Sequence, residues 1–140
     1  MDPNADCLVK VTDFGESRAV ATSYSGRDRL HNPVWLAPEI MKKEQYTEKA
    51  DVFSFGIILW ELVGRARPFS EYKVAQSDFT YQLEDAIIDG LRPSIKPAWQ
   101  CPPEYIELME NCWHGDPKQR PQFEEISEKI RQLQVKRNLL

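Results

Sequence analysis

The side chains in this chain that could do chemistry are carboxylates, hydroxyls and a few arginines. They gather around three short motifs in fixed order: Asp13-Phe14-Gly15, Ala37-Pro38-Glu39 and Asp116-Pro117-x-x-Arg120-Pro121. Between the first two lie Ser17, Thr22, Ser23, Tyr24 and Ser25, with Arg18, Arg27 and Arg29 nearby. Several other chemistries find no support. No pair of acidic residues sits in a context that suggests glycoside hydrolysis. His31 and His114 lack metal-ligand spacing and are read as solvated or capping residues. Cys7, Cys101 and Cys112 are too few and too scattered for a disulfide framework or a tetrahedral metal site. Their odd number fits a reducing compartment, and each is expected to be a small buried apolar side chain. Trp35, Trp60, Trp99 and Trp113 are expected to pack the core and loops rather than to stack on bases.

The elements that must position these groups follow from pattern. Asp2-Pro3-Asn4-Ala5-Asp6 is turn chemistry, and the alternating, β-branched Leu8-Val9-Lys10-Val11-Thr12 predicts a short strand that ends at the Asp13 turn. Taken alone, Asp13 is a turn aspartate. Residues 16 to 34 carry Ser, Thr, Gly, Arg and one Pro with no apolar period, the pattern of a loop. From Lys49 to Val63 the sequence is apolar on nearly every helical face, which predicts a helix buried all round. Two further helices are expected, Thr80 to Asp89, stopped by Gly90 and Pro93, and Pro103 to Trp113, with Tyr105, Leu108, Met109 and Cys112 on one stripe. A last helix is expected to begin near Pro121 and to carry Phe123, Ile126, Ile130 and Leu133 inward.

Composition places these elements in one globular unit. The chain has 140 residues, 41% hydrophobic and 29% charged, about one domain's worth of ordinary composition. No stretch reaches the ~18 uninterrupted apolar residues of a membrane span. Met1-Asp2-Pro3-Asn4 starts acidic, with no basic or apolar leader, so the expected location is cytoplasmic. A net charge of -4 argues against nucleic acid as the main partner, and the basic stretch from Lys129 to Arg137 is read as a solvated helix face.

Order and spacing carry more weight than any one tripeptide. Lys10-Val11-Thr12-Asp13-Phe14-Gly15, Trp35-Leu36-Ala37-Pro38-Glu39, Tyr46 through Gly56, Gly90-Leu91-Arg92-Pro93 and Cys112-Trp113 through Pro121 follow one another over nearly the whole chain. Together they resemble the large lobe of a protein kinase. The wording of Lys49 to Gly56, Leu91-Arg92-Pro93 and Cys112-Trp113 is similar to the tyrosine-kinase-like group of Ser/Thr kinases, and within it to amoebal and Roco-type members. The resemblance implies a partial protein-kinase-like fold, a mainly α C-terminal lobe with a short β-hairpin remnant at the N-terminus. It divides the chain into a partial kinase domain at 1–136, with an activation segment at 16–36 and a helical subdomain at 37–136, and a tail at 137–140. Met1 would then fall inside a strand of the parent fold.

Roles follow by the same resemblance. Asp13 would give a carboxylate oxygen to Mg²⁺, which bridges the phosphates of ATP; Phe14 would set the state of the loop, and Gly15 would permit its turn. Ser17, Thr22, Ser23, Tyr24 and Ser25 become candidates for activating phosphorylation, which orders a loop through arginine pairing. Asn32, Trp35 and Pro38 would belong to the substrate-docking segment. Glu39 and Arg120 look like the pair that ties the activation segment to the helical subdomain, and Asp51 like the aspartate that accepts from catalytic-loop amides. Two departures stand out: Glu16 replaces a usual leucine, and His31-Asn32 replaces Gly-Thr, which places substrate docking in question. Within these 140 residues there is no Gly-rich phosphate loop, no strand lysine with its helix glutamate, and no His-Arg-Asp loop, the parts that perform phosphoryl transfer.

Two readings of function remain open. The chain is part of a Ser/Thr kinase whose reaction is ATP-dependent phosphorylation of protein, inactive when isolated, or it is a short pseudokinase-like, non-catalytic binding module. Its partners would be protein substrates or regulatory proteins. With its covering segments absent, the apolar helix at 49–63 is expected to make the isolated chain self-associate, recruit a partner or chaperone, or stay partly molten.

Overall fold

In the computed structural model, residues 9–17, 33–72 and 79–138 are described. Five α-helices carry the body: α1 (Pro38–Met41), α2 (Lys49–Gly64), α3 (Phe79–Ile88), α4 (Pro103–Cys112) and α5 (Phe123–Asn138). Short 3-10 turns form at Phe14–Glu16, Pro33–Trp35 and Pro117–Gln119. Among the described residues none is in a strand, and no helix is long and apolar enough to cross a membrane.

α2 is the post around which the rest is arranged, and it forms for local reasons at both ends. The Thr47 hydroxyl accepts from the Lys49 amide at its start, and Asp51 places a negative charge in the first turn. At its end Arg65 turns left-handed (φ 46°) and donates its amide to the Glu61 carbonyl at 2.8 Å, satisfying one terminal acceptor. α3 stops at Gly90, whose φ of 104° suits a residue without a Cβ, and the next amide, Leu91, bonds back to the Ala86 carbonyl. Pro103 opens α4 at a position where a missing amide costs nothing. At the start of α5 Glu125 reaches back to accept from the Gln122 amide at 2.7 Å.

The core is one cluster. Val52, Phe53, Ile57, Leu59 and Trp60 from α2 meet Leu108, Met109 and Cys112 from α4, Leu83 and Ile87 from α3, and Ile126 from α5. Burying each large side chain is worth about 1.5–3 kcal/mol. The approach of α2 to α4 is close because residue 56 is glycine: a Cβ there would lie 2.9 Å from the Cys112 Cβ and 3.1 Å from the Trp113 amide nitrogen.

Three expectations need correction. Residues 9–12 form no strand, and Leu8 lies outside the described residues. An alternating β-branched run becomes a strand only when a partner completes its hydrogen-bond ladder, and here Val9 and Val11 are 86% and 83% exposed. Among the described residues no β-hairpin remnant is observed, whereas the mainly α character is. α2 is not buried all round either, for Ile58 is 42% and Leu62 66% exposed. Helices α4 and α5, the 33–37 segment and Trp99 pack against other parts of α2 and leave this edge open to solvent. Cys112 is buried as expected, but Cys101 is only half-buried and Cys7 lies outside the described residues. The four helices expected over 49–63, 80–89, 103–113 and from 121 all form, with ends shifted by one or two residues.

The contact at Gly56 yields a test of this packing. Gly56→Ala gains about 1 kcal/mol of helix propensity but forces α2 and α4 apart, and overpacking of this kind costs roughly 1–3 kcal/mol. The expected result in urea unfolding is a net loss of stability. Gly115→Ala, where no atom lies within 4 Å of the new methyl group, should stay within about 0.5 kcal/mol of the parent.

Candidate functional site

Buried charge organises the site. Arg120 follows the 3-10 turn at 117–119, which Asp116 caps by accepting from the Lys118 amide at 2.9 Å. The Arg120 guanidinium meets the Glu39 carboxylate edge to edge, Nη1 to Oε1 at 2.7 Å and Nη2 to Oε2 at 2.8 Å, and both side chains are buried. The remaining donors are also used: Nε donates to the His114 carbonyl at 2.8 Å and Nη1 to the Lys49 carbonyl at 2.8 Å. Lys49 answers with Nζ donating to the Arg120 carbonyl at 2.7 Å. A buried ion pair is tolerable when its donors and lone pairs are met in this way, and among the described residues no buried side-chain polar atom lacks a partner.

A second cation shares this region. Two guanidiniums lie over the Phe53 ring on α2, Arg120 at 5.2 Å and Arg92 at 4.8 Å from its centroid, so each positive charge faces an aromatic π-surface. Arg92 spends its hydrogens on carbonyls, Nε to Trp113 at 2.9 Å and Nη1 to Ile87 and Leu91 at 3.0 and 2.7 Å. Burial, then the like charge of Arg120, pull its pKa down to about 10 against the opposing pull of Glu39. It remains a cation at neutral pH.

The segment just before Glu39 is held by α2. Pro33–Trp35 makes a 3-10 turn with Pro33 and Val34 buried, and Pro38 opens α1 at its first position. The Trp35 indole Nε1 donates to Glu61 Oε2 at 2.8 Å, and the Trp35 carbonyl accepts from the Ser54 hydroxyl at 2.7 Å. Ser54 and Glu61 stand seven residues apart, two turns, and so share one face of α2. A polar pair on one stripe of an otherwise apolar helix is the signal that could have found them, since such groups require partners.

Asp13 takes the left-handed conformation (φ 63°, ψ 64°) at the head of the 3-10 turn, while Gly15 has no positive φ. A methyl group on Gly15 would meet the Asp13 carboxylate at an ordinary 3.6 Å. The unusual backbone therefore belongs to the aspartate, a residue type that tolerates it. Phe14 is 67% exposed. Ser17 closes the turn by donating its amide to the Phe14 carbonyl.

The expected residues divide clearly. Glu39 and Arg120 are brought together, with Trp35 and Pro38 alongside. Asp51 sits exposed in the first turn of α2, facing away from this buried cluster. Asp13, Phe14 and Gly15 are exposed. Thr22, Ser23, Tyr24, Ser25 and Asn32, together with Arg18, Arg27, Arg29 and His31, lie outside the described residues. His114 does cap, its Nδ1 accepting from the Asp116 amide at 3.1 Å. Among the described residues no group of three or more His, Cys, Asp or Glu could hold a metal ion. Asp13 fits a magnesium ion only as one hard oxygen ligand, the partial role such an ion takes where phosphates and waters complete its shell.

Residues 4–130 match the family model for the protein tyrosine and serine/threonine kinase domain. Curated relatives include a probable serine/threonine-protein kinase, roco5, of Dictyostelium discoideum, 55% identical over 130 residues, covering 92% of this chain and 5% of that protein. The cyclic GMP-binding protein C of the same organism is 45% identical over 129 residues, again covering 92% and 5%. A putative serine/threonine-protein kinase/receptor, R818, of Acanthamoeba polyphaga mimivirus is 41% identical over 118 residues, covering 84% and 7%. The chain thus spans a small fraction of the length of these proteins.

Removing either end of the buried fork should be severe. Glu39→Leu or Arg120→Met alone leaves an unpaired buried charge and is expected to cost about 3–5 kcal/mol, while the double substitution recovers much of that loss. A double-mutant cycle in chemical denaturation measures it; strictly additive losses would show that the two groups do not act as a pair.

Proposed function

Because the chain belongs to the protein tyrosine and serine/threonine kinase family, we propose that it is the activation-segment and helical portion of a Ser/Thr kinase domain. In the intact domain, the γ-phosphoryl group of ATP passes to a Ser or Thr hydroxyl of a protein. The observation that carries this reading is the 33–39 segment: it is tied to α2 through Trp35 and to the Asp116–Pro121 motif through the Glu39–Arg120 fork. Phosphoryl transfer is catalysed mostly by positioning and charge stabilisation, and a segment fixed from both sides can present a docked peptide in one register. Magnesium, when bound, neutralises charge on the phosphates, and Asp13 offers it one carboxylate oxygen. The left-handed backbone at Asp13 sets the direction of that carboxylate. Phosphorylation among Ser17 and Thr22 to Ser25 would regulate the segment, and a cytoplasmic location belongs to the same reading.

The 140 residues alone are expected to transfer no phosphate from labelled ATP to a generic protein substrate. In a longer kinase carrying this segment, Asp13→Asn should lower the rate roughly a hundredfold or more. Transfer by the isolated chain that Asp13→Asn abolishes would refute the first statement, and full activity of the longer variant would refute the second.

Self-association belongs to the same reading. The exposed Ile58 and Leu62 edge of α2 is where a second copy would pack when no other segment covers it. Sedimentation of the isolated chain should show concentration-dependent association that Leu62→Glu weakens. A single monomeric boundary at all concentrations would contradict it.

A further inference from the structure

A recess at the far end of α2, remote from the buried fork, has a different chemistry. Its cavity of about 180 Å³ is lined by Trp60, Gly64, Glu71, Ser94, Lys96 and Trp99 among others. That is below the roughly 300–1,000 Å³ of small-molecule sites and suits one long side chain. We propose that this recess binds the guanidinium of an arginine presented by a partner peptide, a role independent of phosphoryl transfer.

The aromatic wall is fixed. Trp60 donates its indole Nε1 to the Ser94 carbonyl at 3.0 Å. Trp99 meets Trp60 edge-on, centroids 5.4 Å apart at 65°. Both rings close on the bare α-carbon of Gly64, where a Cβ would lie 3.0 Å from Trp99 and 3.4 Å from Trp60. Indole faces attract cations and repel anions.

The carboxylate is fixed as well. Glu71 Oε1 accepts from the Ser94 amide at 2.8 Å and from the Ser94 hydroxyl at 2.7 Å, and its second oxygen takes neither donor. Burial alone would raise this carboxyl, but the Ser94 amide, Glu71's own amide, the Ser94 hydroxyl and the charge of Lys96 outweigh it, and its pKa lies below the ordinary value. An ionised, tethered carboxylate beside the half-buried Trp99 ring, which the buried Trp60 (2% exposed) backs from behind, is an environment that a planar guanidinium matches, through charge-assisted hydrogen bonds and stacking. Lys96 is the group that could instead recruit an anion. Its ammonium is exposed on a flexible stem, whereas the acceptor and the rings are held. The fixed groups select a cation, and Lys96 competes with it.

That competition makes the test decisive. N-acetylarginine amide is titrated into the full 140-residue chain, with tryptophan fluorescence and the indole N–H resonances of Trp60 and Trp99 as readouts. N-acetylcitrulline amide, of similar shape but neutral, is the control. The expected result is saturable perturbation of both indoles, roughly tenfold weaker for citrulline. Glu71→Gln should weaken arginine binding several-fold, and Lys96→Gln should strengthen it. Equal response to citrulline, no response to arginine, unchanged binding by Glu71→Gln, or loss of binding on Lys96→Gln would each overturn the proposal. Should Glu71→Gln fail to fold, the exposed Lys96→Gln variant decides the sign alone.

Discussion

The buried fork between Glu39 and Arg120 is the constraint on which the rest depends. Two charges in an apolar core are costly unless nearly every hydrogen and lone pair is met, and that requirement dictates the positions of their neighbours. The Lys49 and His114 carbonyls must face Arg120, so the N-terminus of α2 and the end of the α4 region are drawn to one point. Phe53 must bring its ring within reach of the guanidinium. Arg92 also lies over this ring and, through its carbonyl partners, pulls the segment after α3 into place. Five separate pieces of chain thus answer to one ion pair.

The 33–39 segment shows how such a centre is extended outward. Glu39 fixes the start of α1, and the residues just before it are caught by Ser54 and Glu61 on α2. The segment needs no regular structure of its own, because its carbonyl, its indole and its helical continuation are each anchored to a more rigid element. Sites placed on rigid supports in this way hold geometry better than free loops.

Much of this was legible in the sequence, and the reasons are particular. The helices at 49–64, 79–88 and 103–112 announced themselves because apolar periodicity and Pro/Gly punctuation are local signals. The fork was read only through motif resemblance, since nothing local joins Glu39 to Arg120. Residues 9–12 formed no strand for the complementary reason: β-branched alternation states a preference, but pairing decides. The left-handed backbone of Asp13 carried no signal in the sequence, because aspartate adopts that conformation only in particular turns. The hold of Glu61 on Trp35 was missed because a glutamate inside an apolar helix shows a need for a partner without showing which.

The fork also joins positions 81 residues apart, and this has a temporal side. Loop closure over such a span is entropically unfavourable and must precede the contacts that repay it. During synthesis the Glu39 carboxylate has no partner until Arg120 leaves the ribosome, so the turn of α1 cannot settle against the core before nearly all of the helical body exists. The pair therefore closes late, fixing the 33–39 segment only once the last helices are within reach.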